Sequence, residues 1–157
     1  IRKIEFGDQW PENIPVESDP VRPELDRRYR HTGGREVYTN EGAILCVAYC
    51  DKVPRTLLEL SYWEGLDYAI FYTVWSKQSG CGKQIVLDAF KLLTETKPWV
   101  RGFYTLSPKT KMAWNFHINN GASLFRENEE SDNYEYSAAE FARENITIER
   151  KDHGPKY

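Results

Sequence analysis

The sequence predicts an α/β layer fold, a mixed sheet flanked by helices, in a single domain of 157 residues. Three observations predict it. "YAIFYTVWS" (68–76) is almost continuously apolar, the pattern of a strand covered on both faces. Directly after a glycine-rich turn, Ile85, Val86, Ala89, Phe90 and Leu93 recur on one helical stripe. Apolar, β-rich segments stand on both sides of this strand–turn–helix unit, so the sheet extends in both directions.

Taken in order, residues 1–6 alternate apolar and charged side chains and read as a short strand. Pro11, Pro15, Pro20 and Pro23 mark an irregular connection. Residues 23–30 read as a helix with Pro23 in its first turn, closed by Gly33-Gly34. "AILCVAYC" (43–50) is a strand, Asp51-Lys52 a hairpin turn, and "RTLLELSYW" (55–63) its expected partner, so that 43–76 forms a three-strand meander. The helix after residue 82 stops before Pro98, and "WVRGFYTL" (99–106) is the next strand. Ser107-Pro108 reads as a serine cap with proline at the first helical position. Met112, Ala113 and Phe116 then give that helix its apolar face, and Asn120-Gly121 closes it. Residues 122–136 read as two short strands around a polar turn, and 138–157 as a flexible tail, acidic then basic.

Apolar residues at 40% are enough for a packed core, and a net charge of −3 excludes a grossly basic nucleic-acid binder. Nucleic acid is therefore not an expected partner, although Arg27, Arg28 and Arg30 form a local basic patch. No apolar run reaches the roughly 18 residues of a membrane helix, and residues 1–10 show no signal-peptide pattern. Three scattered cysteines point to a reducing, cytoplasmic setting. Cys46 and Cys50 fall on one strand face roughly 13 Å apart at about 3.3 Å per residue, so they cannot bond to each other there. No CxxC pair occurs and the histidines are scattered, so no metal is expected.

The stretch "SKQSGCGKQ" (76–84) carries the chemistry. A nucleotide-binding Walker loop needs a glycine, four residues, then Gly-Lys and a hydroxyl for magnesium. Here Lys77 stands at the first glycine and Gln84 at the hydroxyl, so a triphosphatase is disfavoured. Glycines before a helix still offer backbone N–H groups and the positive helix end to phosphates without a metal. Lys77-Gln78-Ser79-Gly80-Cys81-Gly82 resembles the acyl-CoA loop of the GNAT superfamily of N-acyltransferases, Gln/Arg-x-x-Gly-x-Gly/Ala after the fourth strand. Both glycines match and Lys77 departs from the pattern. The run from Ala113 to Ala122 resembles that family's Ala-x-x-x-Tyr-x-x-x-Gly-Phe, with His117 at the tyrosine place, Gly121 matched and Ala122 at the phenylalanine place. The resemblance covers residues 40–127.

The resemblance implies a GNAT-like, mixed, mostly antiparallel sheet of about six to seven strands flanked by helices. It implies acetyl-CoA as co-substrate, with its pyrophosphate on the loop of Lys77, Gln78, Ser79, Gly80, Cys81, Gly82 and Lys83. The pantetheine arm would lie between splayed fourth and fifth strands beside Tyr72, Val74 and Trp75, with Asn115 as a further CoA contact. His117 would give a proton to the departing thiolate near neutral pH, as the family tyrosine does. No carboxylate stands out as a general base.

The first expectation is therefore an acyl-CoA-dependent N-acetyltransferase acting on an unidentified amine by direct transfer. A second differs in kind. "FHINNGA" with the later "NYEY" resembles small GNAT-like proteins of tailed phages, which implies a non-catalytic virion or assembly protein with protein partners. A third is acyl transfer to a modified nucleobase. Five tryptophans and ten tyrosines leave room for a homo-oligomer interface.

Overall fold

The computed structural model describes residues 1–137, so the tail expected at 138–157 lies outside the described residues. The elements run β1 (Arg2–Ile4), a 3-10 turn (Val16–Ser18), α1 (Arg27–His31), β2 (Glu36–Thr39), β3 (Ala43–Cys50), α2 (Leu57–Tyr62) and β4 (Tyr68–Ser76). They continue with α3 (Cys81–Thr96), β5 (Gly102–Thr105), β6 (Ser107–Pro108), α4 (Lys111–Asn119), β7 (Ser123–Glu127) and β8 (Ser131–Tyr136). The strands form one eight-stranded sheet in the order β1-β2-β3-β4-β5-β8-β6, with β7 also paired to β8. Among the described residues only β4 and β5 run parallel, joined by α3. This is the mixed, mostly antiparallel sheet flanked by helices that the sequence predicts.

Four elements differ from expectation. The first helix does not start at Pro23; it starts at Arg27, where the Asp26 side chain accepts the Tyr29 N–H. Residues 55–63 are not a strand; Leu57–Tyr62 is helical, and the meander reduces to β3 and β4. The Thr56 side chain accepts the Glu59 N–H, and Glu59 accepts the Arg55 N–H, a reciprocal cap at the helix start. Ser107-Pro108 does not open a helix. It pairs with Asp132 and Ser131, and α4 starts after Thr110, whose side chain accepts the Ala113 N–H. Of the apolar face expected for α4, Met112 is exposed and Phe116 is partly buried against the core, while the buried residue on that helix is His117. The strand Glu36–Thr39 was not anticipated.

Each face of the sheet carries its own core. On one, Leu45, Val47 and Tyr49 of β3 pack against Ile85, Val86, Ala89, Phe90 and Leu93 of α3. On the other, Ile44, Cys46 and Ala48 pack against Trp10, Ile14 and Val16 of the proline-rich segment. The alternation along β3 sends odd and even residues to the two faces and buries all eight. Cys46 and Cys50 are buried and unbridged.

The proline-rich segment is pinned by charge. Asp19 and Arg30, both fully buried, meet at 2.7 Å. Asp19 also accepts the Thr73 hydroxyl and the backbone N–H groups of Val21 and Arg22. Arg30 donates further to the carbonyls of Leu25 and Arg22. A buried ion pair stands only when its remaining hydrogen-bonding capacity is filled in this way.

Candidate functional site

The site begins with one extra residue in β4. Cys46 and Val47 are consecutive in β3, yet they oppose Thr73 and Phe71, which leaves Tyr72 as a bulge. A bulge bends its strand and raises the local twist. β4 and β5 pair from Tyr68↔Gly102 to Phe71↔Thr105, and a last bond runs from Leu106 N–H to the Phe71 carbonyl at 3.1 Å. Beyond it the strands part. Arg22 spans the fork, donating from Nε to the Tyr72 carbonyl at 3.3 Å and from Nη2 to the Leu106 carbonyl at 2.9 Å. The carbonyl displaced by the bulge thus keeps a partner, as buried backbone requires. Burial lowers the Arg22 pKa from its ordinary value.

The fork opens a cleft of about 310 Å³. Phe71 to Ser76 form one wall, and Leu106, Ser107 and Pro108 the other. Ala113, Phe116 and His117 of α4 cover it, Gly82 stands at the α3 end, and Pro20 and Val21 border it from the proline-rich segment. A Cβ on Gly82 would stand 3.2 Å from the Phe116 ring, so glycine lets α3 and α4 approach there.

Two polar side chains stand out in this wall. Ser107 Oγ lies 3.2 Å from His117 Nε2, and His117 Nδ1 lies 2.7 Å from the Tyr136 hydroxyl. Ser107 donates to Thr105 Oγ1 at 2.8 Å, and Asn120 Nδ2 donates to the Tyr136 oxygen at 3.5 Å. One consistent assignment makes Nε2 the protonated nitrogen: Tyr136 donates to Nδ1, His117 to Ser107, and Ser107 to Thr105. The imidazole also stacks on Tyr134, ring centroids 4.9 Å apart. Burial lowers the His117 pKa to about 3, so the ring is neutral at physiological pH. A neutral ring holds no positive charge to give up near neutral pH, so any proton that His117 supplied there would have to come through its hydrogen bonds to Ser107 and Tyr136.

The turn before α3 is built on glycine and held from outside. Gly80 caps the helix with φ +84° and no side-chain bond. The Cys81 N–H closes the turn onto the Gln78 carbonyl at 3.2 Å, so it is turned to structure rather than to a ligand. Asn40 Nδ2 donates to the Cys81 carbonyl at 3.0 Å, and the Lys77 N–H donates to the Gly42 carbonyl at 3.0 Å. A Cβ at Gly42 would collide with Cys81 Sγ, so the β2–β3 turn and the glycine turn fit only with glycine there.

Of the residues expected at the site, the structure brings Tyr72, Val74, Trp75, Gly82 and His117 to the cleft. The rings of Tyr72 and Trp75 point elsewhere. Tyr72 meets Tyr29 edge-on, and Trp75 packs against Trp10 and the Arg30 guanidinium. Lys77, Gln78, Ser79, Gly80, Cys81 and Lys83 form the turn adjoining the cleft's α3 end and do not line it. Asn115 is exposed and does not line the cleft. Arg22, Thr105, Ser107 and Tyr136 were not anticipated. Ser107 carried a signal, but Ser-Pro reads first as a helix cap. Among the described residues no group of three or more His, Cys, Asp and Glu comes together to hold a metal ion. Among them also no helix is long and apolar enough to cross a membrane.

No protein-family model matches the chain, and no curated protein matches it in sequence. Solved structures do. A malonyl-CoA decarboxylase from Rhodopseudomonas palustris superimposes with TM-score 0.62 at 16% identity over 96% of this chain. A malonyl-CoA decarboxylase from Cupriavidus metallidurans does so with TM-score 0.55 at 15% identity over 81%. The match spans 59% and 58% of those two chains. At this identity the likeness establishes a shared fold.

Proposed function

We propose that this domain binds an acyl-CoA in the β4–β5 cleft and converts its acyl group with Ser107 and His117. The observation that carries the reading is the fork itself: a deep, mostly apolar slot with a glycine turn and helix start at one end and a buried Ser–His pair in its wall. A slot between diverging strands suits a narrow, flexible arm such as pantetheine, and the α3 end offers backbone N–H groups and positive helix charge to phosphates. Both structural neighbours act on an acyl-CoA by name, which supports the same ligand class.

Two reactions fit the slot. In the first, an amine attacks the thioester carbonyl, the C–S bond breaks, and the thiolate leaves with a proton passed along Ser107 and His117. In the second, a malonyl-type acyl group loses CO2. The C–C bonding pair moves toward the thioester oxygen, the Ser107 hydroxyl turns from Thr105 to donate to the enolate while the His117 N–H keeps it oriented, and water supplies the proton that returns to carbon. Among the described residues no carboxylate lines the cleft, so none of them stands ready to deprotonate an incoming ammonium, whereas an apolar wall favours loss of a carboxylate as neutral CO2. This difference, together with the likeness to two malonyl-CoA decarboxylases, favours decarboxylation over N-acyl transfer.

Calorimetry with CoA, acetyl-CoA and malonyl-CoA, with Gly80→Trp as control, tests the ligand. Mass spectrometry then separates the reactions: acetyl-CoA appearing from malonyl-CoA supports decarboxylation, and amine-dependent release of CoA from acetyl-CoA supports transfer. Absence of binding by every CoA species would sink the reading and return the fold to a non-catalytic role.

A further inference from the structure

At the fork the cleft is lined by a segment that the strands do not supply, next to Arg22 on the Tyr72 and Leu106 carbonyls. Pro20 and Val21 border the cleft, and the residues on either side of them are fixed. Asp19 holds Thr73 and Arg30, and Arg22 holds both carbonyls at the apex. Asp19 Oδ1 also accepts the Val21 N–H at 2.7 Å, so the backbone of the wall itself is tied down. A wall fixed on both sides cannot swing away to admit a larger ligand.

Direction follows from the fold. The α3 start stands beside Gly82, near Ser76 at the outer end of β4. The apex lies at Phe71 and Leu106. Five residue steps separate Ser76 from Phe71, about 17 Å at roughly 3.3 Å per residue. A ligand with its phosphates at the α3 start and its arm along β4 therefore brings its acyl end toward the apex, past Ser107 and His117. The whole cleft holds about 310 Å³, near the lower limit for ligand sites, so the arm leaves little space beyond the thioester.

We infer that Val21, on the segment Asp19–Arg22, is the acyl-length stop of this cleft and restricts it to short acyl groups. The inference rests on the acyl-CoA reading above and deepens it: the substrates are thioesters of short acids, and one side chain outside the sheet sets the limit. A hydrophobic wall discriminates about tenfold or more per methylene that it excludes.

The test measures dissociation constants of free CoA, acetyl-, butyryl- and octanoyl-CoA by calorimetry for the native chain, Val21→Ala and Val21→Leu. Free CoA is the reference for each protein, because it reaches the arm site without an acyl group. The native chain should favour acetyl- over octanoyl-CoA. Val21→Ala should improve octanoyl-CoA about tenfold relative to free CoA, and Val21→Leu should weaken butyryl-CoA by a similar factor relative to free CoA. The two variants shift the profile in opposite directions, which misfolding cannot do. If free CoA binds all three proteins and the acyl-length profile does not move, the stop lies elsewhere and the inference is overturned while the cleft reading stands. If free CoA does not bind the native chain, the cleft reading fails and takes the stop with it.

Discussion

At the scale of single residues, His117 is the most consequential side chain. Its ring is buried between Tyr134 and the wall of the cleft, with both nitrogens engaged. Burial holds its pKa at about 3 against about 6.5 for a free histidine. The sign of the resulting pH dependence follows. Above pH 6.5 the ring is neutral in the folded and unfolded chain and adds no slope. Below it the unfolded chain takes a proton that the folded one refuses, so stability falls with pH until about pH 3. The slope approaches ~1.4 kcal/mol per pH unit. Urea unfolding of the native chain and His117→Gln at pH 6.5 and pH 5 should show the native chain losing about 2 kcal/mol more. Parallel losses in the two proteins would mean that His117 titrates normally. Ser107→Ala, one hydrogen bond away, should keep CoA binding and lower turnover by about a hundredfold or more. A variant that turns over normally would leave Ser107 as a structural link between β5 and α4.

At the scale of elements, the proline-rich segment is held to the sheet by Asp19 and Arg30 rather than by strand pairing. Arg30→Leu leaves the Asp19 carboxylate buried without its cation and should cost about 3–5 kcal/mol in urea unfolding. A loss below about 1 kcal/mol would show that Asp19 is satisfied by Thr73 and backbone alone. None of this was legible beforehand, because Arg27, Arg28 and Arg30 look alike in sequence and only folding puts Arg30 inside. The elements with strong periodicity were legible: β3, β4 and α3 stand where the apolar patterns put them. Leu57–Tyr62 was misread because Leu and Tyr populate both helix and strand. The deciding signal was Thr56 followed three residues later by Glu59, a reciprocal cap that outweighs apolar content. The start of α4 was misplaced for the converse reason. Ser107-Pro108 has the composition of a cap, yet β8 offers it a strand to pair with, and Thr110 takes the capping role. The bulge at Tyr72, from which the cleft derives, leaves no mark in the residue pattern. An extra residue in a strand apolar on both faces disturbs no alternation.

At the scale of the whole molecule, the sheet is two pieces joined at one seam. β1 to β4 form one antiparallel run and β5 to β8 another, and β4 meets β5 through only four residue pairs before the fork. Arg22 reinforces that seam from one face, and α3, which links the two strands in sequence, packs on the other. A ligand lying in the fork touches both pieces and replaces the strand pairing that the bulge abolishes. Its binding energy therefore appears as global stability. CoA at a hundredfold its dissociation constant should add about 2.7 kcal/mol, a rise of several degrees in melting temperature. Arg22→Met should cost roughly 1.5–3 kcal/mol by removing two charged hydrogen bonds at the seam. Because the ligand spans the same gap, CoA should raise the melting temperature of Arg22→Met at least as far as that of the native chain, given equal saturation. Hydrogen exchange locates the effect: protection should grow on both sides of the fork, in residues 73–76 and 104–108 together. Protection confined to one side would mean that the ligand sits on a single piece, and the fork would then be a consequence of the bulge without a part in binding.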